Sequence, residues 1–313
     1  MTSSPTAPGP RFAAPADLEK ALAETYLCDD RTGLVAWLAL SLGKPLLVEG
    51  PPGVGKTDLA RALARATGRE LLRIQCYEGL DEGRALYEWN YAKQMLYTTL
   101  LRGTVDAELA GATSVTEASA RLANVEGTFY DRRFLLARPL LQALESPVGA
   151  ALLIDEVDRA DPEFEAFLLE FLAENQVSIP ELGTVRAVHA PLVVLTSNGT
   201  RDMTDALRRR CLHLFLDYPP PSREQRILEL KVPGLSAALA GSIAAYLAEV
   251  RKLDLRKVPS ISESIDWARA LLLLGRTALD TATIESTLSV LAKYEEDRQT
   301  LAEGAAALLQ KLP

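Results

Sequence analysis

The segment "GPPGVGKT", Gly50 to Thr57, sets three glycines, a lysine and a threonine at the spacing that can hold a phosphate chain. Glycines let consecutive backbone N–H groups converge on anionic oxygens, and a helix opening at the end of the loop adds the positive end of its dipole. Lys56 is expected to reach the β and γ phosphates of ATP and Thr57 to hold Mg²⁺. The expected nucleotide contacts are Gly50, Pro51, Pro52, Gly53, Val54, Gly55, Lys56, Thr57 and Asp58. Much further along, "ALLIDE" places Asp155 and Glu156 directly after apolar residues, where a buried parallel strand would end. Asp155 is expected to bind the metal through water, and Glu156 to polarise the attacking water as a general base. "LTSN" closes another apolar run on Asn198, whose amide can orient that water or touch the γ-phosphate.

These side chains need a scaffold that brings three strand ends together. "KPLLVEG" reads as a buried strand, "KTDLARALARATG" as a helix stopped by Gly68, and "ELLRIQC" as the next strand, a parallel α/β unit. Before it, the spacing of Leu18, Leu22, Leu34, Trp37 and Leu38 predicts helices. Residues 77–128 are too long for a plain connection and are expected to carry a helix or hairpin of their own. Within them Tyr87, Trp89 and Tyr91 alternate as on one face of an extended segment, with Tyr97 close by; they are expected to pack on their own domain or to meet a partner. "RFLLARPLLQALES" carries a helical pattern, Asp161-Pro162 marks a capped helix start, and residues 176–190 read as a hairpin ahead of "PLVVLTS". Past Pro219 only helices are expected, opened by capping boxes at Ser222 with Gln225 and Ser260 with Glu263, then by Asp280, whose helix is expected to run through "IESTLSVLAKYEEDRQTL".

Composition narrows the function classes. The 313 residues carry 42 acidic against 34 basic side chains, a net charge of -8, which disfavours nucleic acid and anionic membranes as partners. Cys28, Cys76 and Cys211 lie far apart without a CxxC pair, so neither a disulfide framework nor a zinc site is expected. His189 and His213 are expected to pack rather than ligate. No signal-peptide or membrane-spanning pattern is visible, which points to a cytoplasmic protein.

Taken in order, the phosphate loop, the strand ending in Asp-Glu, the strand ending in Asn, the arginines of "LRRRC" and an all-helical tail resemble the AAA+ ATPases. The insertion and the hairpin resemble the MoxR branch. "LYEWNYAKQML", "LLIDEVDRADPEFEAFLLEFL", "LRRRC" and "PSISESIDWA" resemble a subgroup that includes CoxD, associated with maturation of carbon monoxide dehydrogenase-type molybdenum enzymes. The resemblance implies a three-layer αβα domain with a parallel sheet over residues 15–219 and an all-α lid over 220–313, after a flexible segment 1–14. It also implies a ring of copies, a hexamer, that couples Mg-ATP hydrolysis to remodelling of a client protein, aided by a von Willebrand A domain partner. In such rings an arginine ending the helix after the Asn strand reaches the neighbour's γ-phosphate, a role that falls to Arg210 or, second, Arg209. Successive helical residues point about 100° apart, so Arg208, Arg209 and Arg210 cannot all aim at one phosphate. Arg159 is expected either to contact a neighbour or to form a local ion pair. "PSISES" departs from the family in lacking the usual lid arginine, and Arg256 and Lys257 are out of register for it. A nucleotide-gated adaptor without turnover and a motor acting on DNA are the alternatives.

Overall fold

A computed structural model describes residues 12–109, 114, 131–180 and 182–310. Most of the expected flexible segment 1–14 and much of the insertion, residues 110–113 and 115–128, lie outside the described residues. Five strands form one parallel sheet: β1 (Leu46–Glu49), β2 (Leu71–Gln75), β5 (Ala151–Asp155), β8 (Leu192–Ser197) and β9 (Leu212–Phe215), in the order β2-β5-β8-β1-β9. Every residue of β1, β5 and β8 is buried, as continuous apolar strands covered on both faces must be. Alternation divides their side chains between two cores. Leu46, Val48, Leu153 and Val194 pack under α1 (Pro15–Ala23), α2 (Asp30–Leu42) and α3 (Lys56–Thr67). Leu47, Leu152, Ile154 and Leu195 pack on the other face with the helices that follow α3. The result is the expected three-layer arrangement, with β1 flanked by β8 and β9 and the ends of β1, β5 and β8 side by side.

The described part of the insertion is α4 (Glu82–Leu86), β3 (Tyr87–Trp89) and α5 (Tyr91–Leu109). Contrary to the helical pattern of "RFLLARPLLQALES", residues Leu135–Ala137 form β4, antiparallel to β3, and α6 begins only at Pro139 and runs to Glu145. Pro139 forces this boundary, because the residue before a proline avoids helical dihedrals, and Arg138 sits at φ −93, ψ 172. The aromatic alternation ends early: Tyr87 and Trp89 meet edge to face at 5.9 Å, Tyr97 packs on Phe134, and Tyr91 starts α5 largely exposed.

Helix α7 (Pro162–Glu174) starts at the predicted proline, but the Asp161 carboxylate accepts from Gly79 N–H at 2.8 Å instead of capping its own helix. The hairpin β6 (Gln176–Ile179) and β7 (Gly183–Arg186) precedes β8, and α8 (Asp205–Arg210) leads into β9.

The C-terminal region is helical: α9 (Pro221–Lys231), α10 (Ala237–Val250), α11 (Ile261–Leu273), α12 (Thr281–Leu291) and α13 (Glu295–Leu309). They enclose a separate core around Tyr246 and Trp267, whose indole N–H donates to Thr287 Oγ1 at 2.8 Å. The capping box at Ser260 and Glu263 forms, and Asp280 caps α12 by accepting from Thr283 N–H at 2.6 Å. Ser222 does not cap α9: Pro221 takes the first helical turn, so the N-cap falls on Pro220. The helix expected to run on from Asp280 breaks after Leu291. The break turns Asp297 inward, where it accepts from the backbone N–H groups of Arg256 and Lys257. Among the described residues, no helix is long and apolar enough to cross a membrane.

Candidate functional site

The phosphate loop lies between the end of β1 and the start of α3, with Gly53 at φ +73 and Gly55 at φ +99, conformations closed to most side chains. Gly50 is tighter still. At φ +149, an added Cβ would stand 2.0 Å from the carbonyl oxygen of Leu216, just after β9. Gly50→Ala is therefore expected to lower stability by about 1–3 kcal/mol, read by urea unfolding, because the loop or the chain after β9 must shift.

Lys56 is almost fully buried, yet its ammonium donates only to neutral oxygens: Gly50 O at 2.7 Å, Pro51 O at 2.8 Å and Asn198 Oδ1 at 2.8 Å. Burial pushes its pKa down, while the charges of Asp158, Asp155 and Glu156 pull the other way. Three carboxylates thus offset a cation whose direct acceptors are neutral, and the loop leaves room for an anionic ligand beside it. Thr57 Oγ1 donates to Asp155 Oδ1 at 3.1 Å. Asp155, 4 % exposed, also accepts from Thr196 Oγ1 at 2.5 Å and from Arg73 at 3.0 and 2.7 Å.

Glu156 follows in the left-handed region, φ 56 and ψ 50, a conformation that costs an ordinary residue about 1–2 kcal/mol. It is held there by its N–H, which donates to Thr196 Oγ1 at 2.9 Å. Its carboxylate pairs with Arg159 at 2.9 Å, a local ion pair. Asn198 is positioned by Asp158, which accepts from Asn198 N–H at 3.2 Å and from Thr200 N–H and Oγ1 at 3.0 and 2.6 Å. Burial works to raise the Asp158 pKa, but these hydrogen bonds outweigh it and keep the carboxyl ionised below its ordinary range.

The sheet thus brings Lys56, Thr57, Asp155, Glu156 and Asn198 to one cavity of about 620 Å³, a size suited to a small organic ligand. Pro52, Gly53, Val54, Gly55 and Asp58 line it as well, while Gly50 and Pro51 lend their carbonyls to Lys56. The helical region closes the other side. Its lining cations are Arg223, paired with Asp29 at 2.8 Å, and Lys231, paired with Asp58 at 3.1 Å. Hydrogen bonds from Thr32 and Arg223 overcome burial and bring Asp29 down to a pKa of about 2. Arg256 instead stacks on Tyr294 and Lys257 pairs with Glu263, so neither faces the cavity.

The three consecutive arginines part company. Arg208 turns inward to Glu49, the last residue of β1, at 2.9 and 3.2 Å. Arg209 is 82 % exposed beside Asp205, and Arg210 is exposed with a single bond to Ala206 O at 3.1 Å. Neither lines the cavity of its own chain. His213, expected to pack, instead sets Nε2 against the Glu49 carboxylate and stays partly exposed.

Sequence reasoning missed Arg73, Thr196 and Asp158. Arg73 and Thr196 carry a signal, a polar residue beside apolar ones within a strand, whereas Asp158 is one more acid in a charged run.

The site suits Mg²⁺ carried by a phosphate ligand. Thr57 and Asp155 are hard oxygen donors too few to cage the ion, and Mg²⁺ takes most of its remaining ligands from water and phosphates.

Residues 45–211 match the family model for the AAA domain, dynein-related subfamily. The denitrification regulatory protein NirQ of Stutzerimonas stutzeri is 26% identical over 237 residues, covering 72% of each chain. The gas vesicle ATPase GvpN of Ancylobacter aquaticus is 27% identical over 250 residues, which span 75% of this chain and 63% of that relative. Among solved structures, the Holliday junction branch migration motor RuvB of Thermotoga maritima aligns at a TM-score of 0.47 and 16% identity, covering 90% of this chain and 75% of the other. Since the matched span runs from the strand that feeds the phosphate loop to the end of the arginine helix, and takes in more than half of the chain, this protein belongs to the dynein-related subfamily of AAA domains.

Proposed function

We propose that the protein hydrolyses Mg-ATP as a ring of identical copies, a hexamer, and uses turnover to remodel a client protein. The observation that carries this reading is the meeting of Lys56, Thr57, Asp155, Glu156 and Asn198 at one cavity, combined with two arginines that point away from it. Bound Mg²⁺ supplies charge neutralisation on the phosphate oxygens, held by Thr57 and Asp155. Backbone N–H groups of the loop and Lys56 bind phosphate. Glu156 takes the proton of the attacking water once its carboxylate leaves Arg159, and Asn198, anchored through Asp158, orients that water. Arg210, with Arg209 second, completes the site of the adjacent copy.

The motifs quoted for the MoxR branch and its CoxD-like subgroup support a chaperone whose client is a molybdenum enzyme of the carbon monoxide dehydrogenase type. They also support a von Willebrand A domain partner. The name of one relative, a gas vesicle ATPase, agrees with ATP hydrolysis. The deciding measurement is phosphate release from Mg-ATP by the purified chain, alone and with its candidate partner, beside equilibrium binding of a fluorescent ADP. Turnover abolished by Lys56→Ala is expected. Binding without turnover under every condition would instead make the protein a nucleotide-gated adaptor.

A further inference from the structure

Arg73 stands where a metal-binding carboxylate is expected to be open. Strand β2 pairs with β5 in a register that sets Gln75 beside Asp155 and Arg73 beside Leu153. From there the Arg73 guanidinium reaches forward, contacts Gln75 Oε1, and donates from Nε and Nη2 to the single oxygen Asp155 Oδ2 at 3.0 and 2.7 Å. The other oxygen, Oδ1, accepts from Thr196 at 2.5 Å and from Thr57 at 3.1 Å. A carboxylate offers about four acceptor positions, and here all are filled.

The three partners are not equally free to leave. Thr196 lies buried in β8 and also accepts from Glu156 N–H, so it is fixed. Thr57 only has to turn its hydroxyl to offer a lone pair to a cation. Arg73 has a side chain 45% exposed and can swing into water. While it stays, the Asp155 charge is already balanced by a guanidinium, and a divalent ion meets a neutral pair.

We propose that Arg73 is a displaceable competitor for Asp155, which sets the Mg²⁺ concentration at which the nucleotide-loaded site acquires its metal. Arg73 is thus a positioning residue that acts through Asp155 and is absent from the cavity lining. The inference rests on the Mg-nucleotide reading given under Proposed function.

The test is an Mg²⁺ titration of the full chain with a bound fluorescent ADP, read as the midpoint of the fluorescence change, for the parent, Arg73→Gln and Arg73→Lys. Thermal unfolding of each variant verifies that it is folded. Loss of two charge-assisted hydrogen bonds is expected to lower the midpoint roughly tenfold in Arg73→Gln. Arg73→Lys keeps the charge but loses the two-pronged contact, and its midpoint is expected between the two. If Arg73→Gln does not fold, Arg73→Lys alone carries the test, with a lowered midpoint expected and an unchanged one overturning the inference. A midpoint unchanged or raised in Arg73→Gln also overturns it, a rise meaning that Arg73 props up the metal ligands. Failure of the parent to bind ADP at any Mg²⁺ concentration is a different result, which removes the nucleotide reading itself.

Discussion

Glu156→Gln is expected to leave nucleotide affinity within about twofold of the parent and to lower ATP turnover by roughly 10²–10⁴-fold. Glutamine keeps the length and the carbonyl oxygen of the side chain but cannot take a proton from water. The left-handed backbone at this position is held by Glu156 N–H on Thr196, a contact the substitution does not touch. The partner Arg159 loses only a half-exposed ion pair, worth about 0–1 kcal/mol, so the fold should survive. Binding of a fluorescent ATP analogue and phosphate release, measured on the same preparation, separate the two effects. Turnover retained to within a few fold would remove Glu156 from the chemistry.

Arg210→Ala should cost about 10³-fold or more in turnover with nucleotide affinity nearly unchanged, if the guanidinium completes the site of an adjacent copy. In its own chain Arg210 bonds only Ala206 O from an exposed position, so its loss leaves no buried partner stranded. Arg208→Ala is the contrasting variant. It leaves the Glu49 carboxylate, whose side chain is 11% exposed, with His213 but without its guanidinium, and is expected to lower stability by about 1–3 kcal/mol. A mixing experiment decides whether the site is shared. Glu156→Gln and Arg210→Ala proteins, each inactive alone, should regain turnover when combined, because some junctions then pair an intact Glu156 with an intact Arg210 from next door. Mixtures as inactive as their components would defeat the shared-site reading, and Arg209→Ala in the same assay tests the second candidate.

The features legible in the sequence were those whose spacing is local. Glycines, Lys56 and Thr57 sit within one loop and one helical turn, and Asp155 and Asn198 close strands whose apolar runs announce burial. What escaped depends on which strands become neighbours. Arg73 meets Asp155 only because β2 lies beside β5, and Asp158 anchors Asn198 only because the chain after β5 passes under the loop after β8. The helical spacing of "RFLLARPLLQALES" misled for a related reason: pairing with β3, invisible to a local window, overrode the propensity of Leu135–Ala137. Likewise Ser222 offered the right chemistry for a cap, but the neighbouring Pro221 fixed the start of the helix first.

The inward turn of Arg208 has a mechanical consequence. Helix α8 has six residues, is anchored at its start by Thr204, whose N–H donates to buried Glu165, and is moored near its end to Glu49, one residue ahead of the phosphate loop. So short a segment, fastened at both extremities, has little freedom to bend. Any tilt of the sheet must therefore carry the outward guanidiniums and the glycine cradle together, like a pawl cut from the same plate as its wheel.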